Sequence, residues 1–218
     1  VSSTSNLGAD VTTSSTQTYT SGVTLSGADR TLTASTVNFV DTLAGGTNGL
    51  TITGNLDLDG AATGLTTLEV SGTSNLGADV TTSSTQTYSG DATISNDIIL
   101  TTTNSNVLFG GTTNAGTAGD TLTIAAGSGD VTFTGAVGGS TAMGNITITT
   151  GALSAAAIKV QGTIDITNTD TSSITGIISD GASSAIVTKA GSGTLLLSAN
   201  NTYTGQTNIN AGIISITD

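Results

Sequence analysis

Hydrophobic and polar residues alternate in short segments along the whole chain. Residues 56–59 read Leu, Asp, Leu, Asp, and residues 146–149 read Ile, Thr, Ile, Thr. A period of two points one set of side chains inward and the other set, here mainly Thr, Ser, Asp and Glu, outward. The same pattern recurs at residues 68–70, 121–124, 164–166, 195–197 and 214–216. It predicts many strands of about three to five residues, separated by turns rich in Gly, Asn, Asp and Ser.

The pattern predicts no helix. No segment repeats its apolar residues at the helical period over three turns, and the alanine run at residues 155–157 is too short to form one. The sequence therefore indicates an all-β protein.

One segment of sixteen residues, TSNLGADVTTSSTQTY, occurs twice, at residues 4–19 and again at residues 73–88. Identity over this length marks a duplicated module, which is typical of repeat architectures. We assign internal repeats to residues 4–72 and 73–141. The offset of 69 residues divides into three coils of about 23 residues. This division predicts that Tyr19 and Tyr88 lie on the same side of the molecule, three layers apart.

Short strands, many turns and a repeat favour a parallel β-helix, in which each coil of the chain stacks on the one before. Residues 1–218 would form one continuous segment of about ten coils, belonging to a longer protein. A β-sandwich is the alternative, because its turns recur at similar spacing. The repeat and a core poor in aromatic residues favour the β-helix.

The composition is unusual for a globular protein. Pro, Cys, His and Trp are absent, and charged residues are 8% of the chain against roughly a quarter in ordinary domains. Abundant Thr, Val and Ile favour strands and argue against disorder. Without Cys the chain forms no disulfides and no thiolate metal sites.

The net charge of −12 excludes nucleic acid as a partner, because the phosphate backbone would repel the chain. The three cationic residues, Arg30, Lys159 and Lys189, are scattered. No apolar run approaches the length of about 18 residues that a transmembrane helix needs.

Carboxylates are the first candidates for catalysis, since some β-helical proteins act on polysaccharides. Asp57 and Asp59 form the closest pair on one strand face, and two carboxylates could serve as acid and base across a sugar. A solvated approach to the turn at Gly60 explains them more simply. With no His and one Arg in the chain, we predict no catalytic residues and no enzymatic activity.

Calcium is the second candidate ligand. Asn55, Asp57, Asp59 and Gly60 resemble half of an EF-hand loop but lack its final Glu. Residues 116–122 and 127–133 faintly resemble a glycine-rich calcium repeat whose spacing is broken. We predict no metal site and no cofactor.

Four Thr-x-Thr triplets suggest an ice-binding array, since flat threonine rows on β-helices bind ice in some proteins. They start at Thr31, Thr51, Thr121 and Thr132. Because the spacings are unequal, we expect ordinary strands that do not share one face.

The three tyrosines, Tyr19, Tyr88 and Tyr203, have similar neighbours. They could stack on carbohydrate. We favour packing at the corners of coils, with the hydroxyl groups reaching solvent.

The C-terminal third contains KAGSGTLLLS at residues 189–198, NNTYTG at 200–205 and INAGIISI at 209–216. In this order and spacing they resemble the passenger-associated repeat of bacterial autotransporters, over residues 174–218. The N-terminal two-thirds resembles repeats of filamentous-haemagglutinin-like exoproteins. The resemblance implies a right-handed β-helix, exported by a type V route and displayed extracellularly on the bacterial surface.

The expected function is that of a structural stalk or filament segment, which extends an adhesive region from the cell. Its expected partners are adjoining β-helical repeats of the same protein, and fibre self-association is a further expectation. In the alternative, the segment is itself adhesive and binds a host, cell or glycan surface. A glycan-active enzyme is a weaker alternative.

Overall fold

The computed structural model describes residues 3–217, and within them the chain forms strands and turns without a helix. The strands, in chain order, are β1 (Ser5–Leu7), β2 (Val11–Thr12), β3 (Gln17–Tyr19), β4 (Val23–Leu25), β5 (Arg30–Phe39), β6 (Leu43–Ala44), β7 (Leu50–Leu58), β8 (Ala62–Leu65), β9 (Leu68–Val70), β10 (Ser74–Leu76), β11 (Val80–Thr82), β12 (Gln86–Tyr88), β13 (Ala92–Ile94), β14 (Ile98–Thr101), β15 (Val107–Phe109), β16 (Thr113–Ala115), β17 (Leu122–Ala125), β18 (Val131–Phe133), β19 (Ile146–Thr150), β20 (Leu153–Ala155), β21 (Ile158–Val160), β22 (Thr163–Asn168), β23 (Ser172–Ile174), β24 (Ile178–Asp180), β25 (Ile186–Ala190), β26 (Thr194–Leu197), β27 (Thr207–Ile209) and β28 (Ile213–Ile216).

The strands stack in three parallel rows, which we call faces 1, 2 and 3 in the order that the chain visits them in each coil. Face 1 is an 11-stranded sheet that runs from β1 to β27. Face 2 runs from β2 to β28, and face 3 runs from β3 through β10, β13 and β16 to β21 and β24. The expected parallel β-helix is confirmed, with about eleven coils instead of about ten. A sandwich of antiparallel sheets is excluded, because every strand pair is parallel.

The number of residues in a coil varies along the molecule. Register partners on neighbouring coils are 18 residues apart at Ser5 and Val23, and 24 apart at Ile98 and Leu122. Most strands have three to five residues in short and long coils alike, so the extra residues lie mainly in the corners between faces. The expected uniform coil of about 23 residues is therefore wrong for the duplicated half.

The expected placement of Tyr19 and Tyr88 is also wrong. Tyr19 lies on face 3, where Phe39, Leu58 and Leu76 stack above it over three coils. Tyr88 lies on face 2, paired with Val70 below and Phe109 above. From Leu76 to Tyr88 the chain passes from face 3 through face 1 to face 2, which is two-thirds of a coil. The second copy of the repeat therefore starts on face 3, whereas the first copy starts on face 1.

The core lies inside the three faces and runs the length of the solenoid. Inward side chains of one coil stack on equivalent side chains of the next, so Leu122, Ile146, Ile164 and Val187 form one continuous column. All four are buried. Alternation on each strand creates this core, because the outward neighbours of these residues are Thr and Asp.

One glycine lets a strand pass from face 2 to face 3 without a loop. Gly54 lies in the middle of β7 with φ 134°, and a Cβ there would be 1.9 Å from the Ala34 carbonyl oxygen. The paired strand β5 has a register shift between Thr33 and Thr36 at the same level. Both strands therefore bend at the corner and belong to two faces.

Candidate functional site: outer faces, corners and buried polar row

The proposed acid pair does not act as a pair. Asp57 lies in an outward row of face 3 between Asn38 and Asn75, one coil to each side. The Asn38 amide donates to Asp57 Oδ2 at 3.0 Å, and the Asn75 amide donates to Asp57 Oδ1 at 2.8 Å. Asp59 lies in the exposed corner that follows. The Asp57 carboxylate is thus the acceptor at the centre of an amide ladder.

Most carboxylate and amide side chains in the corners accept a hydrogen bond from a backbone N–H of the next coil. The Asp79 carboxylate accepts from the Ile99 backbone N–H at 2.8 Å, and the Asp97 carboxylate accepts from the Thr121 N–H at 2.9 Å. The same contact to the following coil is made by Asp10, Asp29, Asn55, Asp91, Asn104, Asn106, Asn114, Asp130, Asn145 and Asp180. These side chains satisfy backbone donors at corners, where the sheet ladders are interrupted.

Two of these carboxylates are held in their charged form. Hydrogen bonds from the backbone and side chain of Thr112 lower the pKa of Asp91. The pKa of Asp180 is lowered by the Ala185 N–H and by the Thr204 hydroxyl and N–H. A carboxylate stabilised in this way is a poor proton donor at neutral pH.

The calcium candidates fill the same structural role. Asn55 accepts from the Thr73 N–H at 3.0 Å, and Asp120 accepts from the Thr117 N–H within its own corner at 2.6 Å. Asp130 accepts from the Ala152 N–H at 2.9 Å. Within residues 3–217, no three His, Cys, Asp or Glu side chains are close enough together to hold a metal ion.

Two of the threonine triplets stack, contrary to expectation. Thr31 pairs with Thr51, and Thr33 pairs with Thr53, on neighbouring coils of face 2. The next coil places Glu69 beside Thr51, so this threonine array spans only two coils. The triplet that starts at Thr121 leads into β17 on face 1, away from the others.

Tyr19 and Tyr88 pack in the core, as expected, but their hydroxyl groups do not reach solvent. Tyr19 is 4% exposed and Tyr88 is fully buried. Their hydroxyls donate to the side-chain oxygens of Gln17 and Gln86, at 3.2 and 3.1 Å. Burial raises the pKa of both phenols. Neither ring is available to stack on a glycan.

The glutamine of each copy was missed by the sequence analysis, and it holds the corner together. The Gln86 amide donates to the Val80 carbonyl at 3.3 Å and to the Thr101 carbonyl of the next coil at 3.0 Å. Gln17 repeats this arrangement with Val11 and Thr33. A polar residue in an inward slot of an alternating strand is the signal that could have identified it.

The aromatic residues form stacks inside the solenoid. Tyr19 stacks on Phe39 with ring centroids 5.3 Å apart. Phe109 lies between Tyr88 and Phe133, at 5.0 Å from each. Among the aromatic residues that the structure describes, only Tyr203 is half-buried, and its hydroxyl lies 2.6 Å from the Thr207 hydroxyl. The outer faces therefore offer little aromatic surface.

An open cleft lies beside Tyr203 on the last coils. It is lined by Leu197, Asn200, Tyr203, Thr207 and Ile216, among others. It combines a partly exposed ring with the exposed Asn200 side chain, so an aromatic surface and a polar group line the same concavity.

A buried row of polar side chains lines the corner between faces 1 and 2. Its members lie on successive coils, with one apolar interruption, and each is at most 6% exposed: Thr82, Thr102, Thr150 and Asn168. Two of them bond to a neighbouring coil. The Thr150 hydroxyl donates to the Gly129 carbonyl at 2.8 Å, and the Asn168 amide donates to the Thr194 carbonyl at 3.0 Å.

Lys189 lies in the neighbouring inward column of face 1, above Ile166, and is fully buried; its ammonium group extends to the same corner. Its ammonium group donates to the carbonyls of Ala190, Gly191 and Ala211, with distances of 3.0 Å to Gly191 and 3.4 Å to Ala211. Burial lowers the pKa of Lys189. A Cβ on Gly212, whose φ is 75°, would lie 2.7 Å from the ammonium nitrogen, so this glycine makes room for the charge.

Residues 187–216 match the family model of the passenger-associated-transport-repeat. The match begins on β25, includes Lys189 and Gly212, and ends with β28. Together, this repeat and the parallel solenoid fit a β-helical segment of an autotransporter passenger. No curated protein and no solved structure matches the chain. Within residues 3–217, no helix has the length and apolarity to cross a membrane.

Proposed function

We propose that this chain is a stalk segment in the passenger of a secreted, surface-displayed autotransporter, and that it holds an adhesive region away from the cell. The observation that carries this proposal is the stacking of parallel strands on faces 1 and 2 through all described coils, around one continuous core. A structure in which every coil supports the next is a rod, and a rod supplies reach and stiffness.

The chemistry of the side chains supports a mechanical role. The corner carboxylates accept hydrogen bonds from neighbouring coils, as in Asp79 and Asp97. Five of the six aromatic rings are stacked in the core, and only Tyr203 is not. Eleven strands on face 1, at about 4.8 Å per coil, give a rod on the order of 50 Å long. The acidic net charge of −12 would keep neighbouring rods apart.

The partners that fit this role are adjoining β-helical coils of the same protein. Ile209 and Ile216 are 55% and 72% exposed on the last coil, although both lie in inward columns, above Lys189 and Leu197. Such positions are suited to a further coil.

The experiment is electron microscopy of the parent protein, with an antibody fragment directed against this segment. We expect the label on the shaft of a rod, and beads coated with the isolated segment should not bind cells or glycans. A compact globule would contradict the rod. Label at the tip, together with binding of the coated beads, would instead assign the adhesive role to this segment.

A direct adhesive role is the second candidate, and the cleft beside Tyr203 favours it. If the coated beads bind, Tyr203→Ala should abolish binding because it removes the accessible ring. Tyr203→Phe should retain binding, because it keeps the ring and removes only the hydroxyl. Equal binding by the two variants would place the adhesive surface elsewhere.

A further inference from the structure

The alternation of apolar and polar residues does not fully specify how the last coil aligns on the coil before it. On face 2, β26 reads Thr, Leu, Leu, Leu and β28 reads Ile, Ile, Ser, Ile. Ile213 and Ile214 are adjacent and both apolar, so the alternation is clear only from Ile214 onward, where Ile214 and Ile216 pair with the buried Leu195 and Leu197 and Ser215 lies between them. Register is weakly specified wherever the inward and outward positions are chemically alike.

Lys189, near the corner where β25 ends, makes a contact to the next coil that depends on this alignment. It occupies an inward slot between Ile166 of the coil below and Ile209 of the coil above. Its aliphatic stem continues the apolar column, while its ammonium group reaches the Ala211 carbonyl on the next coil. The Gly191 and Ala190 carbonyls complete the cage from the same coil.

The contact to the next coil depends on register. The Lys189 carbonyl accepts from the Asn210 N–H at 2.8 Å, which brings the corner at residues 210–212 over the ammonium group. A slip of β27 by two residues would move the Ala211 carbonyl away and leave the ammonium group with the Ala190 and Gly191 carbonyls of its own coil. A buried charged donor is less stable when it loses an acceptor. A slip would also move Gly212, where an added Cβ would lie 2.4 and 2.5 Å from the Gly193 and Gly191 carbonyl oxygens and 2.7 Å from the ammonium nitrogen.

We propose that Lys189 is the register-determining residue of the passenger-associated-transport-repeat coil. It selects the alignment of β27 and β28 on β25 and β26, and apolar packing then stabilises the aligned coil. A buried polar group that specifies register at some cost in stability has precedent in other repeating folds. The inference does not depend on whether the rod is a stalk or an adhesin.

Disulfide trapping tests the proposal, because the chain has no cysteine of its own. Thr188 and Asn208 are in register on the outer side of face 1, with the Asn208 amide 3.5 Å from the Thr188 hydroxyl. Neighbouring strands lie about 4.8 Å apart, so Thr188→Cys with Asn208→Cys reports the native register. Thr188→Cys with Asn210→Cys reports a slip by two residues, since Cα atoms beyond about 7 Å do not form a disulfide.

In the chain that retains Lys189, only the native pair should oxidise. In the Lys189→Ile and Lys189→Met backgrounds we expect the slipped pair to rise at least several-fold, while the native pair still forms in part. Lys159→Ile is the matched control, because Lys159 lies on β21 of face 3, away from the last coil, and should leave the native pair alone.

Two results would overturn the proposal. If both Lys189 variants oxidise only through the native pair, register is set by other contacts. If neither pair forms in these variants, the last coil no longer packs on the coil before it. Lys189 then stabilises that packing in general and does not select its register.

Discussion

Tyr19 and Tyr88 end two identical sixteen-residue segments and belong to the same kind of hydrogen-bonded corner, yet they lie on different faces of the solenoid. Tyr19 stacks on Phe39 on face 3, and Tyr88 stacks on Phe109 on face 2. The first four strands begin six residues apart, at Ser5, Val11, Gln17 and Val23. Because a strand and its corner recur at this interval, the duplicated segment can begin on any face and keep its local structure.

The glutamine corner should contribute measurably to stability. We expect Gln86→Leu to lower the free energy of unfolding by about 1–3 kcal/mol, because it removes the amide donor to the Val80 and Thr101 carbonyls and the side-chain oxygen that accepts from the Tyr88 hydroxyl. In that background, Tyr88→Phe should restore part of the loss by removing the orphaned hydroxyl. Urea unfolding of the four chains of the cycle measures the coupling. Strictly additive effects would show that the two side chains do not depend on each other.

Two buried hydroxyl groups without a hydrogen-bond partner offer stabilising substitutions. Ser74 and Thr113 lie in the inward column of face 3, 3% and 0% exposed, and their hydroxyl oxygens have no partner. Thr113→Val keeps the shape and removes the unpaired group, so we expect a gain of about 1 kcal/mol in the free energy of unfolding.

Thr150→Val is the matched control for this substitution. The Thr150 hydroxyl is also buried but donates to the Gly129 carbonyl at 2.8 Å, so its loss should destabilise the chain. Thermal unfolding of both variants measures the difference. A drop in stability for Thr113→Val would contradict the expectation.

Stability should fall in acid through the corner carboxylates. The folded-state pKa values of Asp91 and Asp180 lie below the ordinary 3.8. Their contribution is therefore complete above about pH 3.8 and is lost as the pH falls through the lower folded-state values. The double variant Asp91→Asn, Asp180→Asn should melt at a lower temperature near neutral pH and show a shallower decline below pH 3.8.

Melting temperatures between neutral pH and pH 2 provide the measurement. Glu69→Gln, at an outward position in the middle of β9, is the control and should decline in acid as steeply as the parent chain. An equally steep decline in the double variant would mean that other groups govern the acid transition.

The bend in β7 should tolerate only glycine. Gly54→Ala would place a Cβ 1.9 Å from the Ala34 carbonyl oxygen at a φ of 134°, so we expect a loss well above 1 kcal/mol. Gly139→Ala is the control, because the nearest atom to its added Cβ is 3.6 Å away. Chemical unfolding of the two variants should separate them clearly, and similar midpoints would argue against strain at the corner.

Parts of the candidate site were predictable because their signals are local. The packing of Tyr19 and Tyr88 follows from their inward positions on alternating strands. The structural role of Asp57 follows from its outward position on such a strand. The destination of the tyrosine hydroxyls was not predictable. It depends on Gln17 and Gln86, whose amides are directed by carbonyls of the neighbouring coil. The stacking of Thr31 on Thr51 was missed for a similar reason, since it depends on the length of one particular coil.

The sequence by itself determined that the chain forms short strands with one apolar side, that these strands build a parallel solenoid, and that the last segment resembles a passenger repeat. Alternation and turn residues determine the structure of segments only a few residues long, so they can be interpreted without knowledge of the fold. Only the tertiary structure decided which side chains stack on which. Coil length changes from 18 residues at Ser5 and Val23 to 24 at Ile98 and Leu122, through insertions in corners that alternation does not encode. That variation moved Tyr88 to a different face from Tyr19. Stacking of the coils also placed the Ala211 carbonyl over the Lys189 ammonium group, a contact between residues 22 positions apart.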